Sequence, residues 1–144
     1  MEAQGRLDRV VALHRRDARV TASDCHPLTE RFLAENVRLN GLLPLPYRRG
    51  DWSTANPALG RFDLIVGSDV LYDRGQPDVL SAFIERHAES TAEVVVVDPD
   101  RGNRPAFTRC MQALGFSVSE QKVFVLPGEG GAAYKGRLLR YLRA

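Results

Sequence analysis

The amino-acid sequence predicts an α/β fold in which parallel strands are joined by crossover helices. Two patterns carry this reading. Short apolar runs alternate with amphipathic stretches at helical spacing, the order expected of a strand-helix-strand chain. One run, Val94-Val95-Val96-Val97, is apolar at every position, as a central parallel strand covered on both faces would be. A third feature points to function: an acidic residue directly follows strand-like segments at Asp24, Asp51 and Asp69.

The elements follow in order. Residues 7–16 place Leu7, Val10, Val11 and Leu13 on one side of a basic helix, and residues 19–22 read as a strand ending at Asp24. Pro27 suits a first helical turn. The helix it opens is expected to carry Leu28, Phe32 and Val37 inward and to stop at Asn40-Gly41, where glycine supplies a left-handed cap. A short strand over residues 47–50 comes next. Residues 62–66 form a strand that ends in a Gly67-Ser68-Asp69 turn, and Val79, Leu80, Phe83, Ile84 and His87 mark one face of the helix after it. After the strand at 94–97, Asn103 is placed to cap a helix whose Phe107, Cys110, Met111 and Leu114 keep helical spacing, with Gly115 ending it. Terminal strands at about residues 117–126 and 137–142 flank a glycine-rich loop over 127–136.

Length and composition narrow the class. A chain of 144 residues suits one domain with a core that needs no staples. Its 44% hydrophobic, 26% charged and 8% aromatic residues are those of a folded globular protein. The balance of 20 Lys and Arg against 18 Asp and Glu, net +2, is too even to serve as a footprint for nucleic acid or anionic lipid. Cys25 and Cys110 are too few and too far apart for a disulfide framework or a close-set zinc site. No run reaches the roughly twenty apolar residues of a membrane span. The charged start of the chain also lacks the apolar core of a signal peptide, so the expected location is the cytoplasm.

In a parallel α/β sheet, ligands bind beyond the carboxyl ends of the strands. An acid placed there can accept hydrogen bonds from both ribose hydroxyls of a nucleoside. On position alone Asp24 has an alternative reading as a cap for the helix entered at Pro27, and Asp51 as a solvated loop acid. His14 and His87 fall in expected helices, where a structural histidine is the plainer reading, and His26 precedes a proline at a helix entry. The polar stretch Asp98-Pro99-Asp100-Arg101-Gly102-Asn103-Arg104 reads as a strand-to-helix turn.

Four segments in this order and spacing resemble a known family. They are Val20-Thr21-Ala22-Ser23-Asp24, Asn36-Val37-Arg38-Leu39-Asn40-Gly41, Asp51-Trp52, and Phe62-Asp63-Leu64-Ile65-Val66-Gly67-Ser68-Asp69-Val70-Leu71-Tyr72. Together they look like the class I, seven-strand S-adenosylmethionine-dependent methyltransferases of the protein-lysine type, similar to methyltransferase family 16. The most specific element is Asp69-Val70-Leu71-Tyr72 after a hydrophobic strand. The resemblance implies a doubly wound, Rossmann-like, mostly parallel sheet with an antiparallel C-terminal strand. It further implies that Asp24 binds the ribose of S-adenosylmethionine, that Asp51 and Trp52 hold the adenine, and that Ser68 touches the cofactor. Asp69 and Tyr72 would face the acceptor and the sulfonium as the catalytic pair, although Tyr72 also fits as a half-buried aromatic at a helix entry.

The sequence departs from that family at its start. Members carry a first strand and a glycine-rich loop around the methionine part of the cofactor, and here Gly5 alone stands before the residue 7–16 helix. A chain truncated at its N-terminus is the expectation, with methyl transfer to lysine impaired. A non-catalytic remnant or interaction protein that keeps the α/β layers is the alternative. No Asn-Pro-Pro-aromatic motif is present, which favours lysine over adenine or glutamine as acceptor.

Overall fold

The computed structural model describes residues 19–128 and 131–144. The expected helix over residues 7–16, with His14, and Gly5 lie outside the described residues. Two compact units make up the chain, Met1–Asn56 and Pro57–Ala144.

In the first unit, β1 (Ala22–Asp24) and β2 (Tyr47–Arg49) pair in parallel, Ala22 opposite Tyr47 and Asp24 opposite Arg49. Helix α1 (Thr29–Leu39) connects them. It buries Thr29, Leu33 and Val37, a four-residue spacing that keeps one line of side chains over the pair. Val37 points inward as expected, but the other two lie one residue beyond those expected, so Leu28 and Phe32 are 48% and 53% exposed rather than inward. Gly41 has φ +64°, and the Leu42 amide donates back to the Val37 carbonyl at 3.1 Å. This is a left-handed helix cap of the kind glycine permits. The chain then turns to lay Leu42, Leu45 and Tyr47 against Ala22, Leu33 and Val37.

The second unit holds a four-stranded sheet in the order β3-β4-β6-β5. Its strands are β3 (Phe62–Ser68), β4 (Ala88–Asp98), β5 (Ser117–Val125) and β6 (Tyr134–Arg143), with helices α2 (Gln76–His87) and α3 (Arg104–Ala113) between them. Strands β3 and β4 are parallel, and β6 is antiparallel to both β4 and β5. Thus β3, β4 and β5 share one direction and the last strand inserts against them, as expected.

Ladder register explains the core. Val94 faces Tyr141 and Val96 faces Leu139 across β4 and β6, and all four are at most 1% exposed. The edge-to-face contact of Phe107 with Tyr141, centroids 5.3 Å apart at 82°, brings α3 onto this sheet face. Burial pushes the Tyr141 phenol up to about 12, and its hydroxyl meets Thr108 Oγ1 at 2.9 Å. Residues of the opposite parity, Val95 and Val97, are half-buried.

Strand β4 is longer than the apolar run at 94–97. Its first half, Ala88-Glu89-Ser90-Thr91-Ala92-Glu93, has no apolar pattern to reveal it. Long-range bonds hold it instead: Arg143 donates to the carbonyls of Ser90 and Glu89, and Arg61 to that of Ala88. His87, 3% exposed, sets Nδ1 2.7 Å from the Gly60 carbonyl and its ring against Phe83, which makes it a structural histidine.

Candidate functional site

The parallel pairing of β1 and β2 places Asp24 and Asp51 at the carboxyl ends of neighbouring strands. A carbonyl-to-amide bond joins these ends, with the Gly50 N–H donating to the Asp24 carbonyl at 3.2 Å. The Asp24 carboxylate accepts the His26 N–H at 2.8 Å. The cap position of α1 is Leu28, with no side-chain cap bond, so Asp24 shapes the turn after β1 and does not cap the helix. Asp51 accepts both the hydroxyl and the N–H of Ser53, at 2.6 and 2.8 Å. The first of these bonds, reinforced by the second, holds its carboxyl below the usual range, so it is an acceptor at neutral pH. Trp52 follows, half-buried.

Between the two acids the backbone is closely packed. A Cβ at Gly50 would come within 2.9 Å of Ser23 Oγ. That hydroxyl is itself buried without a hydrogen-bond partner, an uncommon state for a polar group next to a strand end. The sequence signal for this approach is only a glycine before Asp51, and neither Ser23 nor Gly50 is singled out by it.

In the second unit, β3 runs two residues past the expected end, so Gly67 and Ser68 close the strand and Asp69 and Tyr72 follow it. Gly67, still within β3, permits the close return of Val70, since a Cβ there would lie 3.1 and 3.2 Å from the Val70 methyls. Asp69 adopts φ +52°, a left-handed conformation that Asp tolerates better than most residues. Its N–H is fixed by the Val97 carbonyl of β4 at 2.8 Å. Val70 and Leu71 then anchor the segment at 5% and 0% exposure, while Tyr72 stands 50% exposed.

The Asp69 carboxylate is gripped from the neighbouring turn. Arg101 Nε and Nη2 donate to Oδ1 and Oδ2 at 2.5 and 2.7 Å. Arg101 follows β4, the parallel neighbour of β3, so the turns beyond these strand ends lie side by side. Asn103 occupies the cap position of α3, but its side chain makes no cap bond. It donates to the Leu71 carbonyl at 2.8 Å, stitching the two turns together. Asp98 closes β4 fully buried, with Oδ2 accepting the Arg101 N–H at 3.3 Å and Oδ1 lacking a partner. Burial pushes its carboxyl up. Arg101 and Asp98 were legible only as parts of a polar turn.

Among the described residues no group of three or more His, Cys, Asp or Glu could hold a metal ion, and no helix is long and apolar enough to cross a membrane. A groove of about 320 Å³ runs between α1 and the segment before β2, lined by Leu33, Val37, Leu42 and Tyr47 among others. It contains none of the acids discussed above.

No protein-family model matches the chain. The rat (Rattus norvegicus) electron transfer flavoprotein beta subunit lysine methyltransferase is 32% identical over 104 residues, 71% of this chain and 36% of that protein. The chain spans about a third of the length of the curated relatives it matches. Among solved structures, a methyltransferase from Pyrococcus furiosus superposes with a TM-score of 0.73 at 15% identity, covering 95% of this chain and 68% of the other. The magnesium protoporphyrin IX methyltransferase of Synechocystis PCC 6803, solved with bound S-adenosylmethionine, gives 0.66 at 16% identity over 99% of this chain and 80% of the other. With β3 and β4 parallel and the reversed last strand set between β4 and β5, the chain has the α/β, Rossmann-like fold of the class I methyltransferases.

Proposed function

We propose that this chain is an S-adenosylmethionine-dependent methyltransferase domain that acts on lysine side chains of a protein. The observation that carries the reading is the pair of carboxylates, Asp24 and Asp51, at the ends of two hydrogen-bonded parallel strands. A nucleoside needs such acceptors, one for its ribose hydroxyls and one for the exocyclic amine of adenine. The residues present fit this ligand. Asp51 is held as an acceptor by Ser53, the orphaned Ser23 hydroxyl lies beside the close approach at Gly50, and Trp52 offers a ring face to the base.

When bound, S-adenosylmethionine supplies a methyl group already activated by its sulfonium. Held by Asp24, Asp51 and Trp52, it would give that methyl to a lysine amine that has first lost its proton, leaving S-adenosylhomocysteine. The protein's share is chiefly alignment. Asp69 presents a carboxylate able to orient the acceptor amine, Tyr72 an aromatic face able to stabilise a cation, and Ser68 a hydroxyl at the end of β3. The curated relatives are lysine methyltransferases, which supports lysine as the acceptor.

The test is transfer of a labelled methyl group to proteins of a cell extract, with the modified residue read by mass spectrometry. Label on lysine that falls at least tenfold with Asp69→Asn is the expected result. Labelling confined to other residue types, or equal labelling by Asp69→Asn, overturns the assignment. A chain that binds S-adenosylhomocysteine and transfers nothing would favour an interaction protein that keeps the fold.

A further inference from the structure

We propose that Arg101 is a built-in stand-in for the acceptor's ammonium group, occupying the Asp69 carboxylate until a lysine displaces it, so that Arg101 sets how strongly the site selects a cationic amine. This rests on the reading that Asp69 faces the acceptor. Both oxygens of Asp69 are engaged by one guanidinium, at 2.5 and 2.7 Å, a fork that matches a carboxylate closely. The pair is accessible, with the Arg101 side chain 37% and that of Asp69 21% exposed. Because solvent reaches both side chains, an incoming cation has access to the carboxylate and can exchange with the guanidinium.

The pair is not required to hold its two turns together. Asn103 already bonds the Leu71 carbonyl at 2.8 Å, the Arg101 N–H is tied to buried Asp98, and the Asp69 N–H to the Val97 carbonyl. The backbone on both sides is therefore fixed, and the flexible Arg101 side chain can leave without unravelling the site. Val70 and Leu71, which follow Asp69, are buried, and the Asp69 carboxylate is held by the Arg101 turn. Asp69 thus meets a cation whether or not an acceptor is present, and an acceptor must carry a positive charge to compete.

The probe is Nα-acetyl-lysine methylamide, titrated into the full chain while the Arg101 Nε–H signal is followed by NMR. In the unaltered protein that signal should move toward the position of a free guanidinium as the probe saturates. Arg101→Gln should bind the probe at least fivefold more tightly, Arg101→Lys should fall between, and Asp69→Asn with Arg101→Gln should lose the gain. Because the first readout uses the unaltered chain, a variant that fails to fold leaves the test intact. An Arg101 signal unmoved at saturation, or equal affinity in the unaltered chain and Arg101→Gln, overturns the proposal. Binding of S-adenosylhomocysteine is measured on the same samples: its absence counts against the methyltransferase reading, whereas an unmoved Arg101 beside intact cofactor binding counts against the stand-in alone.

Discussion

The Tyr47 hydroxyl donates a 2.9 Å hydrogen bond to the backbone carbonyl of Asp24. Tyr47 pairs in register with Ala22, so its ring reaches two residues along β1 to the point where the strand ends and the candidate ribose acceptor begins. The same carbonyl receives the Gly50 N–H. One oxygen therefore ties the carboxyl ends of β1 and β2 together, and the phenol, half-buried there, is shifted up by burial first and by the nearby Asp24 charge second.

Tyr47→Phe removes this bond and keeps the ring. The Asp24 carbonyl retains Gly50, so the loss should be that of one ordinary hydrogen bond, about 0.5–1.5 kcal/mol of stability. Urea denaturation with an unchanged slope and a lowered midpoint is the expected outcome. Equal midpoints would mean that the bond contributes nothing in solution.

Gly136→Ala should be costlier. A Cβ at Gly136 would come within 2.5 Å of the Asp98 carbonyl oxygen and 2.6 Å of the Tyr134 hydroxyl. The first is backbone of the central strand β4 and has little room to yield, so overpacking of about 1–3 kcal/mol is expected. Thermal unfolding should show a clearly lower midpoint, and a variant as stable as the parent would contradict the close pairing of β4 with β6 at this point.

Asp98 gives a pH dependence with a defined sign. Burial, the largest cause, raises its carboxyl above the ordinary 3.8, so on raising the pH the unfolded chain releases this proton first. The group's contribution to stability is then fullest below the unfolded value and falls as pH climbs through the folded one. Asp98→Asn, which copies the neutral form, should be more stable than the parent at neutral pH, and the gap should narrow toward pH 4. A gap that widens on acidification would show that Asp98 is charged in the fold and paired.

How much of this was legible in the sequence follows from what each residue type must do. Val94 to Val97, the Phe107 and Met111 spacing, and Gly41 and Gly115 with their positive φ announced themselves because periodicity and backbone geometry are local properties. The final reversed strand followed from resemblance to a family. Leu28 and Phe32 misled because an amphipathic helix with apolar residues at 28, 32, 33 and 37 allows two adjacent faces, and only packing on β1 and β2 chooses Leu33. The first half of β4 was hidden for another reason: the carbonyls of Ser90 and Glu89 are held by one side chain, Arg143, 53 and 54 residues away. Asp24, Asp51 and Asp69 were visible as acids after strands. Arg101 was not visible as a partner for Asp69, since their pairing depends on two strands being neighbours.

The measurement closest to the central claim is titration calorimetry with S-adenosylhomocysteine on the chain and on Asp24→Ala. If the ends of β1 and β2 hold the nucleoside, the substitution removes a charged acceptor from two ribose hydroxyls, about 1.5–3 kcal/mol for bonds of that type. The predicted result is measurable binding that weakens about tenfold or more in the variant. Unchanged affinity in Asp24→Ala would contradict the assignment of Asp24 to the cofactor.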